Sequence, residues 1–127
     1  MTSRGDDGSA VVEFTLVSSL LMVLFLAVLQ VGVALDVRNT LVAAAADGAR
    51  YAAAAGRSPG DAVAETREVI GASLPARYAA DVTSEVQAVG GLDTVVVQVR
   101  APLPLLGLFG PAGELVVRGH ALLEAFP

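Results

Sequence analysis

The sequence predicts an α+β fold: a long N-terminal transmembrane helix that continues into a small extracytoplasmic domain with one short helix and a three-stranded antiparallel sheet. Three observations predict it. No charged residue lies between Glu13 and Asp36. An alanine-rich stretch follows this run without a break. From Val82 onward the apolar residues recur with period two, the repeat of a strand with one buried face.

The apolar run from Phe14 to Leu35 supplies roughly 20 apolar residues, which at ~1.5 Å each match a hydrocarbon core of ~30 Å. A buried core helix is the alternative, but 127 residues could hardly surround such a helix on every side. A cleavable secretory signal is the other rival, with an apolar region of about 7–15 residues and then a small-residue site. Here the run is longer, and its small-residue exit at Gly32 and Ala34 leads into further helical sequence. The charges flanking the run are balanced, with Arg4, Asp6 and Asp7 before it and Asp36 and Arg38 after it, so the positive-inside rule discriminates little. The short N-terminus is placed in the cytoplasm because the larger C-terminal portion has the composition of one folded unit.

Helical character persists from Val37 to Ala55, through Ala43–Ala46, Ala49 and Ala52–Ala55, alanine being the strongest helix former. Asp47 and Arg50 can pair on one face. Gly48, Ala52 and Gly56 recur every four residues and form a smooth groove that another helix can approach closely. One rod, on the order of 70 Å from Ser9, is therefore expected to end at Gly56.

Ser58-Pro59-Gly60-Asp61 has the form of a helix start, with Ser58 as N-cap, Pro59 in the first position and Asp61 in the third. That helix should run to Ala72 or Ser73, place Val63, Thr66, Val69 and Ile70 inward, and stop before Pro75. Strands follow. Val82, Ser84, Val86 and Ala88 alternate with Thr83, Glu85 and Gln87, and Gly90-Gly91 makes a turn. Thr94 to Ala101 puts Val95, Val97 and Val99 on one face, with Gln98 and Arg100 on the other. Glu114 to Leu123 sets Leu115, Val117, Gly119 and Ala121 against Arg118 and His120. Three such strands form a meander with one buried face, a thin core that the extramembrane part of the rod would complete. Between the second and third strands, Pro102–Pro111 carries Leu103, Leu105, Leu106, Leu108 and Phe109. This connection is either a lid over the end of the sheet or a contact for a partner subunit or the membrane surface.

Composition narrows the functions available. The chain is 54% hydrophobic, with a mean hydropathy of +0.66 and a net charge of −5. All eight cations are arginine, which together with abundant Ala, Gly and Val suggests a GC-rich bacterial source. No basic stripe is available for phosphates, so nucleic acid is excluded as a partner. The absence of cysteine excludes disulfides, thiolate metal sites and cysteine nucleophiles. His120 is the sole histidine, Ser18 and Ser19 lie inside the span, and the acidic residues are scattered. No catalytic residue, metal site or cofactor is expected, and the chain is read as a non-enzyme.

The informative segment is Gly8-Ser9-Ala10-Val11-Val12-Glu13-Phe14. A carboxylate at a membrane boundary is costly if it enters hydrocarbon, and on charge placement alone Glu13 could simply mark the interface. As a pattern, however, a Gly, four residues, a Glu and an aromatic directly before an apolar helix resembles a type IVb prepilin signal. The form Val-Glu-Phe-Thr-Leu-Val, with Asp47-Gly-Ala-Arg-Tyr-Ala-Ala53 further on, is similar to the TadE-like family of tight-adherence pilus assembly proteins. The resemblance covers residues 4 to 56, and the later strands agree in general pattern only. The leader carries Asp6 and Asp7 where such leaders are usually basic.

The resemblance implies a pilin-like protein cut after Gly8 by a membrane prepilin peptidase on the cytoplasmic side. Ser9 would be the new N-terminus, with Glu13 and Phe14 in the fifth and sixth positions. Four segments follow: a leader (1–8), a transmembrane helix (9–35), its extramembrane extension (36–56) and an extracytoplasmic domain (57–127). The implied role is that of a minor pilin or pseudopilin in pilus assembly or priming. Its partners would be the membrane, the prepilin peptidase, other pilin or pseudopilin subunits and the assembly machinery. It would reside in the bacterial cytoplasmic membrane, with incorporation into an extracellular pilus left open. Glu13 of one subunit could then meet the terminal ammonium of its neighbour and set register. The alternative is a membrane-anchored binding or scaffold subunit of an envelope complex that never enters a filament; an anchored hydrolase lacks candidate residues.

Overall fold

A computed structural model describes residues 4–54, 57–102 and 113–123 of the chain. Helix α1 (Arg4–Ala53) is a single 50-residue rod, about 75 Å long at the α-helical rise. Helix α2 (Pro59–Ser73) follows, then a 3-10 turn (Ala76–Ala79) and three strands, β1 (Asp81–Val89), β2 (Leu92–Pro102) and β3 (Glu114–Leu122). The strands form an antiparallel sheet in the order β1-β2-β3.

The rod's two halves differ in what covers them. From Val11 to Leu35 every large apolar side chain is widely exposed, as with Phe14 at 73% and Leu20 at 69%. Beyond Asp36 a stripe becomes buried: Val37, Leu41, Ala44, Ala45, Ala49, Ala52 and Ala53. Steps of three and four along this list trace one face of a helix. The opposite face, with Arg38, Ala43, Asp47 and Arg50, stays exposed. Asp47 and Arg50 pair there at 2.8 Å, as their spacing predicts, and at such exposure this ion pair contributes only about 0.3–0.5 kcal/mol.

Helix α2 starts as its sequence suggests. The Asp61 carboxylate accepts hydrogen bonds from the Ser58 backbone N–H at 2.8 Å and from the Ser58 hydroxyl at 3.3 Å, and the Asp61 N–H donates to the Ser58 carbonyl. Thr66 and Ile70 face inward as expected, but Ala62 is the third fully buried residue, and Val63 and Val69 are only half-buried. Close approach to the rod selects the small side chain for the tightest position.

The sheet lays one face over the rod. Val95, Val97 and Val99 are fully buried, with Val82, Ala101 and Val117 beside them. Cross-strand partners place Val82, Val99 and Val117 in one row and Ser84, Val97 and Gly119 in the next. Gly90 and Gly91 join β1 to β2 at φ +61° and +81°, backbone that glycine adopts without strain and that a two-residue hairpin with the sheet's twist requires.

Four details depart from expectation. The rod is helical to Ala53 rather than Ala55, and Gly56, its expected terminator, lies outside the described residues. The third strand ends at Leu122, one residue early. The 3-10 turn after α2 was not foreseen. Val86 and Ala88, expected on the buried face of β1, are exposed, because the hairpin projects past the start of α2: the Ser84 hydroxyl donates to the Pro59 carbonyl, and nothing among the described elements covers the residues beyond it.

Candidate functional site

The segment whose residues resemble a prepilin signal is helical throughout. Helix α1 begins at Arg4, so Gly8, Ser9, Glu13 and Phe14 all lie on it. Ser9 and Glu13 are four residues apart and share one face. Each of the four is exposed, and space around Gly8 is open, with nothing within 4 Å of where a Cβ would stand. Among the described residues Glu13 has no hydrogen-bond or ion-pair partner. An unpaired carboxylate one residue before a lipid-facing apolar run is expensive unless it reaches water or a cation.

Two hydroxyls in the run bond back within the helix. The Thr15 hydroxyl donates to the Val11 carbonyl at 2.9 Å, and the Ser19 hydroxyl to the Thr15 carbonyl at 2.8 Å. Such back-bonding lets hydroxyls sit in hydrocarbon without orphaned donors. Glu13, directly before the apolar run, is a charge whose needs the helix does not meet. The apolar window within Asp7–Ala53 reaches a mean hydropathy of 2.5, and none of it is buried. The core helix of a water-soluble protein would be covered; this one is bare and long enough to cross a bilayer.

Gly48 and Ala52 are buried, and the helix that approaches them is the chain's own α2. A Cβ on Gly48 would meet the Thr66 side chain and stand 2.8 Å from the Ala62 carbonyl oxygen. Thr66 is fully buried, and its hydroxyl oxygen has no conventional hydrogen-bond partner. It faces the Cα–H of Gly48 instead, a weak donor common where helices touch. Gly56, the third member of the groove, lies outside the described residues, as do Leu103, Leu105, Leu106, Leu108 and Phe109.

Two positioning features were not singled out from the sequence. A Cβ on Gly119 would stand 2.7 Å from the Ala45 carbonyl oxygen and closer still to the Ala45–Ala46 peptide, so β3 lies directly on the rod's backbone. A glycine within a strand is a signal for such close approach, although in the alternating pattern it read simply as one more inward position. At the rod's end, the Arg57 guanidinium lies 3.8 Å from the centre of the Tyr51 ring and donates to the Tyr51 carbonyl at 3.2 Å, tying the α1–α2 connection to the last helical turn.

His120 is exposed on β3, an edge strand, opposite Val96. Among the described residues no cluster of three metal-ligating side chains occurs.

Fold and site together define a class: a bare apolar rod, with an unpaired glutamate at its entry, whose far half is the wall of a small α+β domain. Residues 8–50, the segment that holds both the motif and most of the rod, match the family model described as TadE-like protein. No curated protein and no solved structure matches the chain. The matched segment includes the one helix among the described residues that is long and apolar enough to cross a membrane.

Proposed function

We propose that this chain is a minor pilin or pseudopilin of a tight-adherence pilus, processed after Gly8 and acting by assembly rather than catalysis. In this reading the short N-terminus is cytoplasmic and the α+β domain lies outside the cytoplasmic membrane. Pilus assembly or priming is the task, and other pilin subunits and the assembly machinery are the partners.

The observation that carries the reading is Glu13, unpartnered among the described residues and one helical turn after Ser9, at the start of a bare apolar rod. Processing after Gly8 would leave the Ser9 ammonium on the same face as Glu13. In a staggered bundle the Glu13 carboxylate of one subunit can accept from the terminal ammonium of the next. Such a pair contributes little in water, but in hydrocarbon an unmatched charge is costly, so the pair fixes register. The peptidase would also find little to disrupt. Gly8 is a weak helix residue, it touches nothing, and only the first turns of α1 precede it.

Co-expression with the cognate prepilin peptidase tests this. Intact mass should fall by residues 1–8, and an unchanged mass under those conditions would end the processing claim. A Glu13→Ala variant should insert in the membrane but fail in pilus assembly; normal piliation by that variant would remove the register role.

A further inference from the structure

Anchor and domain share one helix with no spacer between them. Asp36 is the first charge after the span, and Val37, directly after it, is already only 5% exposed. A headgroup layer adds about 5–7 Å to each side of the hydrocarbon, so roughly the first turn of α1 beyond Asp36 lies within it.

Helix α2 turns back toward that layer. A five-residue connection joins it to the end of α1, and Gly48 lies against both Ala62 and Thr66, so the two helices run antiparallel. From Thr66 to Ser73 the chain descends about 10 Å, matching the seven residues from Gly48 back to Leu41. Residues 74–80 therefore turn close to the bilayer. Ser84 bonds the carbonyl of Pro59, at the opposite end of α2, so β1 climbs away from the membrane and the Gly90-Gly91 tip is the far end of the domain.

At the low corner Pro75, Ala76 and Arg77 are exposed, while Tyr78 is 3% exposed. The Arg77 guanidinium lies 4.9 Å from the centre of the Tyr78 ring and donates to its hydroxyl at 3.4 Å. A buried aromatic thus holds an exposed cation in place. Arg38, also exposed, stands three residues after Leu35. Neither arginine has a carboxylate partner among the described residues; Asp36 and Asp81 are the acidic groups nearest in the chain.

We propose that the 74–80 corner, through Arg77, rests on phospholipid headgroups, with Arg38 beside it on the rod. Arg38 stands about 5 Å beyond Leu35, at the depth of the phosphates, and the start of the 74–80 corner about 9 Å beyond it, within an arginine's length of them; a planar fork of donors recognises phosphate well. The contact would hold the domain upright on the bilayer while the protein is membrane-resident, and it does not depend on processing or filament entry.

The chain has no cysteine, so single labels are free of background. The full chain carrying Ala76→Cys or Gln87→Cys, each with a fluorophore, would be reconstituted in phosphatidylcholine–phosphatidylglycerol vesicles containing a lipid with a headgroup spin label. Quenching at position 76 should exceed that at 87 several-fold, and Arg77→Glu should reduce it. Equal quenching at the two positions, or more at 87, overturns the proposal. So does quenching at 76 that Arg77→Glu leaves untouched, or that vanishes on dilution into excess lipid, the behaviour of a contact with a second copy.

Discussion

Replacing Gly119 with alanine probes how closely the sheet is seated on the rod. The added Cβ would stand 2.7 Å from the Ala45 carbonyl oxygen, with the Ala45–Ala46 peptide closer still. All these atoms are backbone in the middle of a helix, and none can rotate away as a side-chain tip would. Gly119 has no positive φ, so the penalty is steric alone. Overpacking in a tight core costs about 1–3 kcal/mol, and a rigid backbone obstacle puts this case at the upper end, near 3 kcal/mol. For a domain of this size each kcal/mol shifts Tm by roughly 4–8 °C, so Gly119→Ala should lower Tm by about 12 °C or more. Thermal unfolding of the detergent-solubilised chain, followed by near-ultraviolet circular dichroism, reads this out. Gly71→Ala is the matched control: nothing lies within 4 Å of its Cβ position, and alanine in an exposed helix should stabilise by about 0.5–1 kcal/mol. A Gly119→Ala protein that melts with the parent would refute direct seating of β3 on α1.

Three further outcomes are expected. Thr66→Val removes a fully buried hydroxyl without a conventional partner and keeps the side chain's shape, so urea unfolding should show a gain of about 1 kcal/mol. Asp61→Ala deletes the carboxylate that accepts from Ser58 and should cost about 1 kcal/mol, visible as a lower urea midpoint with an unchanged slope. Leu41→Ala leaves a cavity at a fully buried position on the rod and should cost about 2–5 kcal/mol, with protease sensitivity rising in the domain while membrane insertion is kept.

The rod was legible because its two halves carry strong local signals. An uncharged apolar run states its solvent directly, and the alanines after it state helix at each position. The strands were legible from alternation, and Gly90-Gly91 from turn chemistry. What escaped was tertiary. The 3-10 turn at Ala76–Ala79 has no periodicity of its own; it exists because Tyr78 must reach the core. Gly48 and Ala52 announced a helix contact, but which helix would fill it depends on the length of the α1–α2 connection. Val86 fits the inward pattern of β1, yet the reach of α2 decides how far along the strand a cover extends. The motif Gly8–Phe14 is a linear pattern, so its residues are all visible in the sequence, and on the proposed reading a peptidase and a neighbouring subunit would meet it along the chain.

That anchor and scaffold are one uninterrupted helix is the claim on which the rest depends. Nitroxide labels at Ser18 and Ala43, both exposed, would straddle the C-terminal end of the apolar run in vesicles. Twenty-five residues of helix separate the two positions, so a pulsed electron–electron distance measurement should give one narrow peak at about 38 Å between backbone positions. A broad distribution, or a peak much shorter than this, would mean that the helix breaks where it leaves the membrane and would contradict the account.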